Sequence, residues 1–492
     1  MRTNVVFVKP ELVRDNLIII PIMEEDSVEK ASYPKPLNKA IESKDFKGSL
    51  SQTLVFYPEH NYSAKRVLYI GLGKESELDK EKLRRAYSTV AKTARALKSS
   101  SFSVLLPIIK SIDSITVAKS VTEGILLGSY SFTKYKTDKK ELPPELKGIT
   151  LILSSQSHIT EIKRIVEKTR IVCDNVQFVR DLVNENSKDK SALTMESMAI
   201  SIARRHKLRL SVLTEKEMKR LGMNLILAVN SGAQKPPRLL ILSYYGNPKS
   251  KDKYAVVGKG IIFDSGGLNL KPTGYLETMK SDMAGAATAL GIVKTASELR
   301  LRTNIIAVMP LCENLVGPSS YKPGDVFTAF NKKTVEITNT DAEGRLILAD
   351  ALSYTVSKIK PRLVIDLATL TSACMVALGR FIAGMMSNNE EYSSKLLQSG
   401  KDTNEIVWEL PLSDDFKDLS KSDIADMLNS SKGKFAGAIE GGMFLKNFVD
   451  KTPWIHLDIA GPSYLSEADF NYMPKGGTGF GLRLLLDFFE RV

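Results

Sequence analysis

The chain is poor in the residues from which many familiar sites are built. It has three cysteines and four histidines in 492 residues. Cysteines so few and so widely spaced form neither a disulfide framework nor a Cys-x-x-Cys metal site, and they fit a reducing, cytoplasmic setting. Single, scattered histidines do not favour a histidine-built metal centre. These residues are Cys173, Cys312, Cys374, His60, His158, His206 and His456. We interpret His456 as a buried strand residue.

Several catalytic motifs are also missing. The sequence contains no G-x-S-x-G elbow, no G-x-x-x-x-G-K-[ST] phosphate loop and no H-E-x-x-H zinc helix, which argues against the enzyme classes built on them. It has no run of about 18 apolar residues, and charges interrupt the apolar start M-R-T-N-V-V-F-V-K. We therefore expect neither a signal peptide nor a membrane span.

Acidic charge is in the minority. The formal net charge is +13, and residues 1–170 hold 29 Lys and Arg against 20 Asp and Glu. A basic surface can attract nucleic acid non-specifically. A lysine-rich surface that only keeps the protein soluble explains the same excess, so the charge leaves both interpretations open.

The first part of the chain alternates strand and helix patterns. Residues 79–98 have helical periodicity with basic residues outward. Strands are predicted at 4–8, 16–22, 66–73, 101–109 and 149–155. This alternation predicts an α/β layer around a largely parallel sheet.

A long amphipathic pattern at 160–183 opens with Thr160 as a plausible cap and ends in the polar stretch 184–190. Further strands are predicted at 239–244, 254–263, 304–310, 362–368 and 454–460. We therefore predict two α/β domains: an N-terminal domain over 1–159 and, after a connecting helix and linker over 160–190, a larger C-terminal domain over 191–492.

Acidic residues stand at element ends in the second part. V-G-K-G-I-I-F-D-S-G-G brings Lys259 and Asp264 to a glycine-rich strand exit, and Asp282 opens a small-residue helix. N-T-D-A-E-G-R-L adds Asp341 and Glu343. For any one of these acids in isolation, a solvated loop or cap residue is the favoured interpretation. The glycine and alanine around them favour close packing around a bound ion.

We interpret N-T-D-A-E-G-R-L as an extended segment, in which Asp341, Glu343 and Arg345 point to one face. Four converging carboxylates cannot all stay ionised without nearby positive charge. Such oxygen-rich clusters suit divalent ions, and two ions about 3.5–4 Å apart would neutralise them.

At these residues the sequence resembles the leucine aminopeptidase (cytosol aminopeptidase) family of dinuclear metallopeptidases. N-T-D-A-E-G-R-L is that family's signature, unbroken here, and other blocks match in the same order. They include V-G-K-G-I-x-F-D-S-G-G, P-L-x-E-N (310–314), K-P-G-D-V (322–326), D-L-A-T-L-T (366–371), H-L-D-I-A-G (456–461) and G-G-T-G-F-G (476–481). The resemblance implies a macro-domain-like N-terminal domain and a C-terminal catalytic domain with a central mixed sheet flanked by helices.

The resemblance also implies the metal ligands. One ion would be held by Lys259, Asp264, Asp282 and Glu343, and the other by Asp264, Asp341 and Glu343. Manganese or zinc is expected, with magnesium or cobalt as further options. A water between the ions would be the nucleophile.

Two basic residues are implied to take part in catalysis. Lys271 corresponds to the family's catalytic lysine, which polarises the scissile carbonyl, and a surface lysine is the alternative. Arg345 corresponds to the residue that holds bicarbonate, the general base, and a salt bridge to one of the acids is the alternative.

Substrate contacts are implied as well. Lys271 contacts the scissile carbonyl, Asp282 would bind the substrate's α-amine, and Thr369, Leu370 and Ser372 would line the cleft. Met279, Met283 and Ala460 are equally well pocket or core residues. Two departures from the family pattern stand out: Ser372 replaces a glycine, and Glu440 places a charge in a usually small or neutral block.

The expected function is therefore that of a cytoplasmic aminopeptidase that removes leucine or other large apolar N-terminal residues from peptides. The resemblance implies a homohexamer built as a dimer of trimers. Two alternatives are an aminopeptidase narrowed to dipeptides such as Cys-Gly, and an added DNA-binding or regulatory role of the basic N-terminal domain.

Overall fold

The computed structural model describes residues 1–24, 35–58, 62–138, 140, 142, 144–431, 433, 435–467 and 472–492, so His60 lies outside it. These residues form two compact units. One is Met1–Gln177 with Glu467–Pro474, and the other is Phe178–Ser466 with Lys475–Val492. The domain limits expected from the sequence stay a prediction.

The first unit contains a six-stranded sheet among its described residues, in the order β1-β6-β5-β2-β4-β3. All neighbours are parallel except β3 and β4. The predicted largely parallel sheet is confirmed; the short edge strand β3 is an addition. The strands are β1 (Arg2–Val6), β2 (Ile18–Ile22), β3 (Thr53–Phe56), β4 (Val67–Gly71), β5 (Ser101–Leu105) and β6 (Gly148–Ile152).

Two helices of this unit begin at side-chain caps. Asp79 and Asp113 each accept two backbone N–H groups at the first turns of α2 and α3. At Gly124 an added Cβ would lie 2.4 Å from a carbonyl oxygen of α2, so the two helices pack in close contact. The helices are α1 (Lys35–Glu42), α2 (Lys80–Ala96) and α3 (Ser114–Gly128); α4 (Ile159–Asn184) follows, matching the predicted long helix.

The second unit is organised around a nine-stranded mixed sheet in the order β16-β15-β18-β14-β9-β11-β8-β7, with β10 paired to β11. Parallel pairs form its centre, antiparallel pairs lie on either side of them, and the edge strand β16 again pairs parallel with β15. The predicted mixed sheet is confirmed. Its strands are β7 (Arg209–Thr214), β8 (Arg238–Tyr245), β9 (Tyr254–Gly258), β10 (Gly260–Asp264), β11 (Asn304–Asn314), β14 (Leu363–Ala368), β15 (Ala383–Ser387), β16 (Val407–Glu409) and β18 (Trp454–Asp458).

Smaller sheets and the helices complete the described part of this unit. The smaller sheets pair β12 (Val326–Thr328), β13 (Thr334–Glu336) and β17 (Met427–Leu428), and β19 (Tyr464–Leu465) with β20 (Gly476–Gly477). The helices are α5 (Ala192–His206), α6 (Glu215–Leu221), α7 (Asn224–Val229), α8 (Ala284–Leu299), α9 (Gly344–Tyr354), α10 (Ser372–Leu378), α11 (Glu390–Thr403), α12 (Gly437–Lys446) and α13 (Leu482–Phe489).

The strand predicted over 254–263 is interrupted at Lys259. The backbone N–H of Lys259 donates to the Leu367 carbonyl (2.9 Å), and its carbonyl accepts from Ala286 N–H (2.9 Å). Beyond this break, β10 pairs with the end of β11. The interruption therefore brings a lysine to the start of α8, because Gly258 and Gly285 allow the backbones to touch.

Within the described residues, no helix combines the length and the apolar character that crossing a bilayer would require.

Asp350 on α9 is a buried acid of the core. Its Oδ2 accepts the N–H groups of Leu225 (2.9 Å) and Ile226 (3.1 Å), and its Oδ1 accepts that of Phe330 (2.8 Å). Burial raises the pKa of Asp350 to about 7, although the three hydrogen bonds oppose the shift. Below about pH 7 the folded protein therefore favours the protonated acid.

Because the pKa of Asp350 lies above its ordinary value, the stability that its proton contributes is present below about pH 4 and lost as the pH rises through about 7. As the pH rises from about 5 to about 8, the free energy of unfolding of Asp350→Asn should therefore increase by roughly 2 kcal/mol relative to that of the unchanged protein. The backbone N–H group that the amide nitrogen cannot accept adds a cost that does not vary with pH. Urea unfolding followed by tryptophan fluorescence measures this difference. Asp423→Asn, which changes an exposed acid, should show no such change. An equal change in the two variants would contradict the raised pKa of Asp350.

Candidate metal centre

The candidate centre gathers side chains from segments that flank the central strands. Lys259 lies between β9 and β10, and Asp264 is the last residue of β10. Asp282 lies two residues before the first residue of α8, and Glu343 directly precedes α9. Except for Asp341, which is about one-third exposed, the acidic side chains are buried.

Lys259 binds three groups at once. Its Nζ lies 2.8 Å from Asp282 Oδ2 and 2.9 Å from Glu343 Oε1, and it donates to the Thr369 carbonyl oxygen (2.8 Å). Thr369 in turn donates from Oγ1 to Asp282 Oδ1 (2.5 Å). The ammonium of Lys259 thus holds two carboxylates at a fixed separation.

Lys271 bridges the other two acids of the cluster in the same way. Its Nζ lies 2.7 Å from Asp264 Oδ2 and 2.6 Å from Asp341 Oδ1. Its side chain is 15% exposed, whereas that of Lys259 is 3% exposed, so Lys271 lies on the open side of the cluster. The two lysines neutralise half of the charge of the four carboxylates.

The remaining negative charge is concentrated in a space the size of a metal site. Asp264, Asp341 and Glu343 each offer a carboxylate oxygen, and these oxygens lie within 4.8 Å of one another. Glu343 Oε2 is buried and, among the described residues, has no hydrogen-bond partner. An orphaned buried carboxylate oxygen costs free energy unless a cation compensates it. The donor set therefore fits divalent ions, which favour carboxylate oxygens.

The titration behaviour follows from the same crowding. Burial and the neighbouring Asp264 raise the pKa of Glu343, and burial is also the main cause of the raised pKa of Asp282 and of Asp341. Burial lowers the pKa of Lys259, but Asp282, Glu343 and Asp264 together raise it above its usual value. Both effects express one fact: the cluster needs more positive charge than the two lysines supply.

The interpretation of N-T-D-A-E-G-R-L as an extended segment is wrong. Asp341 lies in a turn, Glu343 has helical backbone angles (φ −77°, ψ −34°), and Arg345 lies in the first turn of α9. Side chains therefore do not alternate across one strand. Asp341 and Glu343 still reach the cluster, because the turn and the helix start bring them there separately, but Arg345 points elsewhere.

Arg345 contacts Glu440 of α12. Its Nη1 donates to Glu440 Oε1 (2.9 Å) and to the Asn429 carbonyl oxygen (2.8 Å), while its buried Nε has no hydrogen-bond partner among the described residues. The alternative of a salt bridge to one of the cluster acids is not what the structure shows, since the partner is Glu440. Sequence reasoning noted Glu440 as an unusual charge but missed this pairing.

The predicted substrate residues lie at different depths. Thr369 is bound to Asp282, and the Leu370 N–H donates to Asp458 Oδ1 (3.2 Å). Ser372 is exposed at the start of α10. Met283 is fully buried, whereas Met279 and Ala460 are partly exposed; Met283 thus packs in the core, as one of the two interpretations expected.

Asn314 is a site residue that sequence reasoning missed. Its Nδ2 donates to Asp264 Oδ1 (2.8 Å) and to the Thr340 carbonyl oxygen (3.0 Å), so it fixes Asp264 next to the segment of Asp341. The block P-L-x-E-N contains Asn314 and could have pointed to it. His456 is a buried strand residue as predicted, with Nδ1 2.6 Å from Asp366 Oδ1.

Glycines make the cluster this compact. A Cβ at Gly344 would lie 2.4 Å from Lys259 Cε, and one at Gly266 would lie 2.9 Å from Asp341 Oδ1. Gly266 also has φ +85°, which disfavours any other residue. The expectation that small neighbours accompany the acids is therefore met in the structure.

Gly344→Ala should displace Lys259 and weaken divalent-ion binding, because the added methyl group would overlap the lysine side chain. We expect the affinity for Mn²⁺ to fall by about tenfold or more, with the protein still folded. Equilibrium dialysis followed by metal analysis measures the bound ion. Gly148→Ala, where the nearest atom would be 3.7 Å away, is the matched control. Unchanged binding in Gly344→Ala would contradict this role.

Comparison with known proteins agrees with this geometry. The profile described as "Cytosol aminopeptidase family, catalytic domain" matches residues 177–486, and the profile "Cytosol aminopeptidase family, N-terminal domain" matches residues 20–139. The catalytic profile therefore covers every residue of the candidate centre.

Individual relatives agree along almost the whole chain. A probable cytosol aminopeptidase of Protochlamydia amoebophila is 38% identical over 97% of this chain and 96% of its own length. A probable cytosol aminopeptidase of a Geobacter species is 41% identical over 92% of this chain and 91% of its own length. Among solved structures, the bottromycin maturation enzyme BotP has 27% identity and a TM-score of 0.86 over 97% of this chain and 99% of its own, and BotP is also known in complex with Mn.

Proposed function

The chain belongs to the cytosol aminopeptidase family and is a metal-dependent aminopeptidase, and we propose that it removes leucine and other large apolar residues from the N-termini of peptides. The observation that carries the proposal is the buried cluster of four carboxylates and two lysines. Two divalent ions, manganese or zinc, would supply the Lewis acidity that activates the attacking water.

We assign the ions to the ligand sets expected from the sequence. Lys259, Asp264, Asp282 and Glu343 would hold one ion, and Asp264, Asp341 and Glu343 the other. Lys259 must lose its proton to become a ligand, and a nearby divalent cation favours that loss because it repels the ammonium. Glu343 Oε2 supports the assignment, since it is buried without a hydrogen-bond partner among the described residues, while Lys259 contacts the other oxygen.

We also assign roles to the remaining residues. Lys271 is partly exposed, and its neighbours Asp264, Glu343 and Asp341 raise its pKa although burial lowers it, so it stays an ammonium. Such a group can donate a hydrogen bond to the scissile carbonyl and stabilise the oxyanion. Asp282 would bind the substrate's α-amine, which would restrict attack to the first peptide bond. Thr369, Leu370 and Ser372 would line the path of the peptide.

We further propose that Arg345 holds bicarbonate as the base and that the protein works in the cytoplasm as a homohexamer. The unpartnered Nε of Arg345 supports the first proposal. For the second proposal, the large exposed apolar side chains on the second unit are surface that association of subunits would bury. They include Val376 (88% exposed), Phe435 (86%), Ile424 (68%) and Trp408 (61%).

Asp341→Asn should abolish hydrolysis of a leucyl anilide and reduce the bound Mn²⁺ from about two ions per chain, because a ligand of one ion is lost. Metal analysis and a colorimetric assay measure the two effects. Asp414→Asn, which changes an exposed acid, should leave both unchanged. Full activity with unchanged metal content in Asp341→Asn would refute the dinuclear assignment.

Lys271→Met should separate catalysis from metal binding. We expect the turnover rate to fall by about 100-fold or more while two ions stay bound, because the variant loses the donor to the oxyanion and keeps every ligand. Steady-state kinetics on leucyl anilide, with metal analysis of the same sample, gives both values. A panel of aminoacyl anilides and dipeptides tests the substrate class. Preference for Cys-Gly over leucyl substrates would instead support the dipeptide alternative.

A further inference from the structure

Arg345 presents two different edges of its guanidinium group. Its Nη1 is saturated by the carbonyl oxygen of Asn429 and by Oε1 of Glu440. Its Nε is buried without a partner among the described residues. An added Cβ at Gly441 would lie 3.7 Å from Nη2 and 2.9 Å from Leu370 Cδ2, so Nη2 lies beside the residue expected to line the cleft. The Nε and Nη2 edge is the one left for a ligand.

Glu440 is itself firmly held. The side chain is 5% exposed, and Oε1 accepts the Ser431 N–H (2.7 Å) in addition to Arg345 Nη1. Its Oε2 accepts from Ser431 Oγ (3.0 Å). A buried carboxylate with this many donors stays in place and cannot turn away from the arginine.

The loop that contains Asn429 and Ser431 contacts the segment that carries Asp341. The Asn429 side chain donates from Nδ2 to the Asn339 carbonyl oxygen (2.7 Å) and accepts the Thr338 N–H at Oδ1 (2.8 Å). Glu440 is therefore connected, through Ser431 and Asn429, to the backbone just before the cluster. A change of its charge acts next to the reaction site and not at a distant surface.

We propose that Glu440 tunes the anion subsite at Arg345: by neutralising the guanidinium at one edge, it weakens the binding of a small oxyanion at the other. The inference rests on the proposed function, in which bicarbonate at Arg345 is the base, and it names Glu440 as a positioning residue that makes this anion readily exchangeable.

The physical reason is the charge that an incoming anion meets. An isolated buried guanidinium offers a full positive charge and gains from compensation. An arginine already paired with a carboxylate offers no net charge, and the second anion is repelled by the first through a low-dielectric interior. The paired arginine still offers two N–H donors in a fork. The anion is then held mainly by these hydrogen bonds and not by net charge, so it binds more weakly.

Glu440→Gln tests this inference with little change of shape. The amide oxygen can accept from Arg345 Nη1 and Ser431 N–H, and the amide nitrogen can donate to Ser431 Oγ, whose hydroxyl rotates. Only the negative charge is lost. Titration calorimetry of the Mn²⁺-loaded protein with sodium bicarbonate, in carbonate-free buffer at constant ionic strength, should show an affinity about tenfold higher than in the unchanged protein. Bicarbonate should also raise the melting temperature of Glu440→Gln by more than it raises that of the unchanged protein.

Two further variants complete the design. Glu196→Gln removes the same charge from another arginine pair, Arg238–Glu196 (2.6 Å), and should bind bicarbonate like the unchanged protein. Arg345→Lys loses the fork and should bind it at least tenfold more weakly. Equal or weaker bicarbonate binding in Glu440→Gln overturns the proposal, as does unchanged binding in Arg345→Lys. Binding is read without peptide, so absence of peptidase activity would overturn only the proposed function.

Discussion

Everything at the candidate centre depends on the repulsion between four carboxylates that the fold places together. Two lysine ammonium groups oppose that repulsion, one fully buried and one at the open side, and each bridges a pair of acids. The balance is incomplete, as the raised pKa values of Asp282, Asp341 and Glu343 show. The rest of the catalytic unit can be understood as the framework that keeps these charges close in spite of this cost.

Backbone contact supplies that framework. At the break between β9 and β10, the backbone of Lys259 bonds to β14 through its N–H and to the start of α8 through its carbonyl oxygen. Glycines at 258, 285 and 344 let chain segments approach to distances that a side chain would prevent. Charge could not be concentrated in this way by flexible loops, because repulsion would separate them. The close packing of the sheet against α8 therefore stabilises the fold and also holds the charged side chains of the centre together.

Much of this could be predicted from the sequence. The two α/β units, the mixed sheet, the long helix at 159–184 and the acids at element ends follow from periodicity and from the ordered motif blocks. The conformation of N-T-D-A-E-G-R-L could not be predicted, because an alternation of polar residues looks the same in a strand and in a turn that enters a helix. The pairing of Arg345 with Glu440 was also beyond reach, since 95 residues separate them and only the fold brings them together.

The lysine bridges have a consequence for how the acids of the centre influence one another. Lys259 contacts Asp282 and Glu343, whereas Lys271 contacts Asp264 and Asp341, so each ammonium group offsets the charge of a different pair of acids. A divalent ion bound between Asp264 and Glu343 would lie next to one member of each pair, and its charge would act on both lysines. The two ion positions would therefore be coupled electrostatically, so that a substitution at one of them changes the affinity of the other.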